Sequence, residues 1–332
     1  MSRGDIKIFA CRAGKPFAKR IISELNKILE STGRIVNLGK SKSVSFADGE
    51  IKTVIKDSVR GKDVYLVQSF INTNDLSVND NIMEFLLAAN ALKRSGPSHI
   101  NSIIPYLAYS RQDKPKDREP VSASLLAETI ERAGIEGIIT MDVHSDQIAG
   151  FYKNIGFDNL RASMTLINYF KKHKSLDDVV VISPDAGGAK RAKFYAKKLK
   201  TDMAIMHKNR NYEKENVVEK TSLLGDVKEK QALIVDDIVD TGGSLVNTIE
   251  ELYKNNVKTV SVACTHALLN NHAKEKLDRL YQEGKLEYLA ATDTIIQKNN
   301  PKWLKEVPVS GLFAQVINNM NMDLSVSELY EQ

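Results

Sequence analysis

Short apolar runs alternate with amphipathic stretches along the whole chain. Ile6–Ala10 (IKIFA) reads as a buried strand, and Phe17–Glu30 follows with Ile21, Ile22, Leu25 and Ile28 spaced for one helix face. Asp63–Ser69 predicts a strand, Asn79–Arg94 a helix, His99–Leu107 a strand, and Ser122–Ala133 a helix closed by Gly134, where a left-handed cap residue belongs. Gly137–Met141 predicts one more strand. The second half repeats the pattern: helix Ser163–His173, strand Val179–Ser183, helix Gly188–Leu199, strands Met203–Met206 and Gln231–Val235, helix Gly243–Asn255 and strand Thr259–Cys264. Alternation of this kind predicts an α/β fold, two similar doubly wound domains whose mostly parallel sheets carry helices on both faces. The expected junction lies near Phe157–Arg161.

Composition narrows the class. A chain of 332 residues is too long for one small core and fits two domains. With 42% hydrophobic and 27% charged residues it has the balance of a folded globular protein rather than a disordered one. No apolar run approaches the roughly 20 residues of a membrane span, and the first residues contain no long apolar segment of the secretory kind; the expected location is cytoplasmic, with no membrane partner. Cys11 and Cys264 have no metal-ligand spacing and lie in apolar runs, which predicts reduced core thiols. The net charge of +5 is spread out and not interleaved with stacking aromatics. That argues against nucleic acid and fits a small polyanionic substrate equally well.

In open α/β sheets ligands bind beyond the carboxyl ends of the strands, so the chemistry is sought in the turns there. The strongest signal is Val235–Ser244, VDDIVDTGGS. An apolar strand ends in adjacent carboxylates, Asp236 and Asp237. The turn Asp240-Thr241-Gly242-Gly243-Ser244 then opens a helix. Two glycines let the backbone turn tightly and approach a ligand closely. The N–H groups at the helix start, with the hydroxyls of Thr241 and Ser244, suit a phosphate dianion. The acidic pair can accept hydrogen bonds from vicinal sugar hydroxyls. A phosphate cradle beside diol-binding carboxylates describes a ribose 5-phosphate site; the plainer reading is a capped turn with solvated acids. Gly33–Ser41 nearly spells another phosphate loop, but five residues, Arg34–Leu38, separate its glycines where four are required. Arg34–Leu38 also reads as a strand.

Val235–Ser244 resembles the phosphoribosyl pyrophosphate loop of the type I phosphoribosyltransferases and of the ribose-phosphate pyrophosphokinases. The segments SFADGE (Ser45–Glu50), Asp57–Ser69, Asn79–Ser95, Ser110–Ala123, MDVHSDQIAGFY (Met141–Tyr152) and SPDAGGAKRAK (Ser183–Lys193) resemble the pyrophosphokinases alone, in their order, from about Ile6 to Ser325–Tyr330. The resemblance implies phosphoribosyltransferase-like domains over 1–158 and 159–309, and a 310–332 segment returning to the first. It implies transfer of the β,γ-pyrophosphoryl group of ATP to the anomeric hydroxyl of ribose 5-phosphate, with Mg²⁺ as cofactor, in a homo-oligomer, a dimer or hexamer.

The same resemblance implies site roles. Phe46, Asp48, Gly49 and Glu50 would line an adenine pocket at a subunit boundary, and Arg111 and Gln112 would contact ATP. His144 would serve the Mg²⁺–ATP site, with Asp185 as the better hard-cation ligand and Asp142 as a second carboxylate. Asp236, Asp237, Asp240, Thr241, Gly242, Gly243 and Ser244 would hold ribose 5-phosphate. Lys208 and Arg210 would be catalytic, clamping charge that develops on the transferred group. Taken alone these are an ordinary turn, a solvated basic loop, a structural histidine and surface charge. No residue stands out as a general base.

The chain departs from the family pattern in its basic loop. From Arg111 to Pro120 it is about one residue shorter, with Pro115 where a basic residue is common and Ser124 where lysine is usual. The regulatory anion site of the family draws on this loop and on residues resembling Ser58, Arg60, Ser325 and Ser327, so altered or weak phosphate regulation is expected. The alternatives are a non-catalytic regulatory homologue, which typically lacks parts of the catalytic segments retained here, and a phosphoribosyltransferase.

Overall fold

The computed structural model describes residues 3–209 and 220–329, with backbone only at 208, 209, 220 and 221. Arg210 and the side chain of Lys208 therefore lie outside the described residues. The chain divides into two compact units: Met1–Arg161 with Asp293–Ile296 and Pro308–Gln332, and Ala162–Thr292 with Gln297–Val307. No helix among the described residues is long and apolar enough to cross a membrane.

The first unit runs β1 (Asp5–Ala10), α1 (Lys15–Leu29), β2 (Ser41–Ser45), β3 (Ile51–Ile55), β4 (Lys62–Val67), α2 (Val78–Arg94), β5 (His99–Ile103), α3 (Ser122–Arg132), β6 (Gly137–Met141) and β7 (Gly156–Leu160). Its sheet has the order β1-β4-β5-β6-β7 and every pairing is parallel. Helix α2 starts where a capping box dictates. Ser77 Oγ accepts from Asp80 N–H at 3.2 Å and Asp80 Oδ2 accepts from Ser77 N–H at 2.9 Å. Gly134, at φ +100°, sits just past α3 as its sequence position predicts.

Two expectations need correction in this unit. Helix α1 buries Phe17, Ala18, Ile21, Leu25 and Leu29, a stripe at four-residue spacing that turns Ile28 outward. Arg34–Leu38 is not a strand: only Leu38 bridges Ile8, and the backbone of Val36 is satisfied by the Asn26 side chain, Nδ2 to Val36 O at 3.0 Å and Val36 N to Oδ1 at 2.8 Å. The first unit's N-terminal part ends at Arg161, within the stretch expected to join two domains, and most of that stretch is β7, paired with β6 from Gly137↔Gly156 to Met141↔Leu160. Of its residues only Leu160 is buried, so no apolar run announces it.

The second unit comprises α4 (Ser163–His173), β8 (Val179–Ser183), α5 (Ala189–Leu199), β9 (Asp202–Asn209), β10 (Lys220–Leu224), β11 (Gln231–Val239), α6 (Gly243–Lys254), β12 (Thr259–Ala267), α7 (Ala273–Gln282), β13 (Tyr288–Thr292) and β14 (Leu304–Val307). The strand order is β10-β9-β8-β11-β12-β13-β14, parallel throughout except for β10 against β9. All five residues of β8 are buried, as expected of a strand covered by helices on both faces. Val180, Ile182, Ile234, Ile249, Val262, Leu277 and Trp303 belong to the core. Lys208, expected just after a strand, lies within β9 opposite Thr221.

The chain then returns to the first unit as α8 (Ser310–Asn321). Phe313 meets Phe17 of α1 edge to face at 5.2 Å between ring centroids. Asn321 Nδ2 donates to the buried Asp63 carboxylate at 2.9 Å, and Tyr65 Oη donates to the same oxygen at 3.0 Å.

Candidate active site

The second sheet reverses direction at one place. From β8 the chain moves outward to β9, then comes back to lay β11 on the other side of β8. Such a switch point opens a crevice beyond the carboxyl ends of the two strands, the place where open α/β sheets bind ligands. Strand β11 also overruns its neighbour. Its pairing with β8 ends at Ile234↔Ile182, whereas pairing with β12 continues to Val239↔Ala267. The strand expected to stop at Val235 therefore runs on to Val239, carrying Asp236 and Asp237 past the edge of β8.

Helix α5 sends Arg191 across this overrun. Nη1 lies 3.3 Å from Asp236 Oδ1 and Nη2 lies 3.3 Å from Asp237 Oδ1, so one guanidinium spans both acids. The Asp237 N–H also donates to Asp236 Oδ1 at 2.9 Å. Burial, and then the neighbouring carboxyl of Asp237, push the Asp236 pKa well above the carboxylate range, while Arg191 pulls the other way. Behind the pair, the buried Cys264 thiol is held protonated by burial and donates weakly to Asp237 O at 3.6 Å. Cys11 is equally buried in the first unit, so both thiols are core residues as expected.

The turn Asp240–Ser244 follows immediately. Gly242 adopts φ +71° and ψ −5° at the N-cap of α6, a left-handed conformation that favours glycine, and Val246 N–H donates to Gly242 O at 2.9 Å. The segment leading into α7 backs the turn. Leu268 N–H and Leu269 N–H donate to Val239 O at 2.9 and 3.2 Å, and Asn270 N–H donates to Asp240 O at 3.0 Å. Asn270 Nδ2 donates to Asp240 Oδ1 at 2.9 Å, and Lys276 Nζ donates to Thr241 O at 3.0 Å.

Asp185 follows β8 on the other lip of the crevice. Its Oδ1 accepts from Gly188 N–H at 2.9 Å and its carbonyl accepts from Ser183 Oγ at 2.7 Å. The residue is exposed, so the carboxylate is fixed in place and open to solvent. The packing below is tight, for a Cβ on Gly188 would lie 2.8 Å from Ser183 Oγ.

The remaining candidates belong to the first unit. Phe46–Glu50 forms the tip of the β2–β3 hairpin, closed by Phe46 N–H to Glu50 O at 2.8 Å and Gly49 N–H to Phe46 O at 3.0 Å, with Gly49 at φ +93°. Asp48 Oδ1 caps Glu50 N–H at 3.0 Å, and Phe46 is 51% exposed. Arg111 and Gln112 are exposed in the loop between β5 and α3, where Gln112 Oε1 accepts from Ser122 Oγ at 2.7 Å. His144 is exposed just past β6. Asp142, at φ +39°, has its Oδ1 3.7 Å from Arg161 Nη1. Among the described residues no three His, Cys, Asp or Glu side chains gather closely enough to hold a metal ion by themselves.

The second unit thus brings Asp236, Asp237 and the 240–244 turn together. Arg191 was not anticipated, although its place in the first turn of a helix entering from a strand end is a signal a reader of SPDAGGAKRAK could use.

Residues 6–134 match the family described as the N-terminal domain of ribose phosphate pyrophosphokinase, and residues 159–297 match the phosphoribosyl transferase domain. The chain is 39% identical over 325 residues to the ribose-phosphate pyrophosphokinase of Campylobacter jejuni, covering 98% of each chain. It is 40% identical over 333 residues to ribose-phosphate pyrophosphokinase A of Dictyostelium discoideum, again with 98% of each covered. The crystal structure of phosphoribosylpyrophosphate synthetase from Mycobacterium smegmatis is similar with a TM-score of 0.85 and 31% identity, over 96% of this chain and 99% of that one.

Proposed function

Because the chain belongs to the ribose-phosphate pyrophosphokinase family, we propose a division of labour in which the second unit holds the acceptor and the first unit's hairpin tip, basic loop and His144 serve ATP. The reaction is the family's: the anomeric hydroxyl of ribose 5-phosphate attacks the β-phosphorus of ATP, AMP leaves, and 5-phosphoribosyl 1-pyrophosphate forms. Chemistry of this type needs positioning and charge neutralisation from the protein more than covalent help.

The 241–244 turn receives the 5-phosphate at the N-terminus of α6. Asp236 and Asp237 accept hydrogen bonds from the ribose hydroxyls and so aim the anomeric oxygen. The observation that carries this assignment is the Arg191 fork at 3.3 Å to each acid, which fixes both carboxyl groups in place beside a glycine turn. On the ATP side, Phe46 offers an aromatic face for adenine, Asp48 and Glu50 offer acceptors, Arg111 and Gln112 offer donors, and Lys208 and Arg210 neutralise the transferred group.

Mg²⁺ fits the donors present. Asp185 is an exposed carboxylate held by its Gly188 bond. This ion commonly takes one or two carboxylates together with substrate phosphates rather than an all-protein cage. Asp185 would hold it first, with Asp142 and His144 contacting its waters or the phosphates. When bound, the ion supplies charge neutralisation on the triphosphate. Exposed Val44, Phe46 and Val54 on the β2–β3 hairpin support self-association, and a cytoplasmic location accords with the buried free thiols.

The test is to mix protein, ATP, Mg²⁺ and ribose 5-phosphate and measure AMP. AMP that appears only when ribose 5-phosphate is present is the expected result. No ribose-dependent AMP, or pyrophosphate release from 5-phosphoribosyl 1-pyrophosphate and a base, would sink the reading.

A further inference from the structure

The 240–244 turn donates to an anion only if its N–H groups face the crevice, and nothing in the turn's own sequence ensures that. The chain has no cis peptide bond among the described residues, so in every peptide plane here the carbonyl and the following N–H point in opposite directions. The carbonyls of Asp240 and Thr241 are both held from the same neighbouring segment, by Asn270 N–H at 3.0 Å and Lys276 Nζ at 3.0 Å. Holding those two oxygens turns the N–H groups of Thr241 and Gly242 away from that segment. Among the described residues neither N–H donates to a backbone carbonyl. Asn270 Nδ2 also fixes the Asp240 carboxylate at 2.9 Å.

We infer that Asn270 and Lys276 are positioning residues for ribose 5-phosphate, Lys276 and the Asn270 N–H clamping the carbonyl side of the turn and the Asn270 amide holding the Asp240 carboxylate, so that the turn's donors stay aimed at the phosphate. The inference rests on the assignment of the turn to the 5-phosphate made above. Neither residue touches substrate in this scheme, and Lys276 acts through Thr241 and Gly242. Its exposure on α7 means that substituting it leaves the core intact.

The experiment compares Lys276→Met, Lys276→Arg, Asn270→Ala and Thr241→Asp by steady-state kinetics with each substrate varied, alongside thermal unfolding. Lys276→Met is expected to raise KM for ribose 5-phosphate about fivefold, the worth of one hydrogen bond, while KM for ATP and Tm hold. Lys276→Arg keeps a donor and is expected to restore the wild-type value; Asn270→Ala loses only the bond to the Asp240 carboxylate and keeps its N–H on Asp240 O, so it is expected to raise that KM less than Lys276→Met. An unchanged ribose 5-phosphate KM in Lys276→Met, or equal rises for both substrates, overturns the clamp. Thr241→Asp places a carboxylate in the cradle and reports on the turn itself. If it abolishes ribose 5-phosphate saturation while Lys276→Met does nothing, the clamp alone fails. If neither variant changes that KM, the phosphate assignment fails and takes the clamp with it.

Discussion

Arg191 Nη1 reaches Asp236 Oδ1 at 3.3 Å from a different helix–strand unit of the same sheet. The contact works against the dominant influences on the acceptor site's protonation. Asp236 is pushed toward its neutral form by burial and by the Asp237 carboxyl, and the guanidinium opposes that together with the Asp237 N–H.

Replacing Arg191 with Met should therefore raise the pKa of Asp236 further. The ribose hydroxyls need ionised acceptors, so the acid limb of the kcat/KM profile for ribose 5-phosphate is expected to move to higher pH. A limb that stays in place would remove Arg191 from the control of these acids.

Asp236→Asn separates stability from function. The folded-state pKa of Asp236 lies above its unfolded value, so the favourable linkage is complete below the unfolded pKa and is lost as pH rises through the folded one. At pH 8 the wild type bears this cost and the amide does not. The variant is expected to unfold at least about 2 °C higher at pH 8, with no such gain near pH 4, and to lose activity. Equal Tm shifts at both pH values would contradict this account.

Gly242→Ala probes the left-handed cap. The added Cβ would meet Ala273 Cβ at 3.6 Å, an ordinary contact, so the cost is conformational. A loss of about 1 kcal/mol in denaturant unfolding is expected, together with weaker ribose 5-phosphate binding. Asn tolerates positive φ better than Ala, and Gly242→Asn should recover part of the stability.

Lys208→Ala is expected to lower turnover by about two to three orders of magnitude with a smaller change in ribose 5-phosphate affinity, the signature of a contact strengthened in the transition state. Near-normal turnover would exclude Lys208 from the chemistry.

The short basic loop bears on regulation. It is tied down where Gln147 Nε2 donates to Asp113 Oδ2 at 2.5 Å and to Asp113 O at 3.0 Å, and Pro115 contributes no backbone donor. Rate measured against inorganic phosphate is expected to change little; strong activation would show that the loop length is immaterial.

What could be read from the sequence was whatever depends on local order. The α/β alternation and Val235–Ser244 are legible because strand, acids, glycines and helix start follow one another within ten residues. Hairpin β2–β3 and strand β7 escaped notice because their residues are mostly half-buried or exposed and form no apolar run. Arg191, Asn270 and Lys276 escaped for a different reason. Each meets the site through folding at a separation of thirty or more residues, and a lone Arg, Asn or Lys on a helix or turn has no periodicity to mark it. The roles of Phe46, Arg111 and His144 came from resemblance rather than from spacing.

The bond from Asn270 to Asp240 spans thirty positions and makes the turn a poor cassette. Val235–Ser244 grafted into another parallel sheet would bring its acids, hydroxyls and glycines, but none of the groups that grip its carbonyls. The graft would settle into whichever turn its new neighbours allow. The smallest piece that keeps the Arg191 fork as well as the grips on the carbonyls runs from β8 through Lys276, and each substitution in it is judged against the partner it meets across the fold.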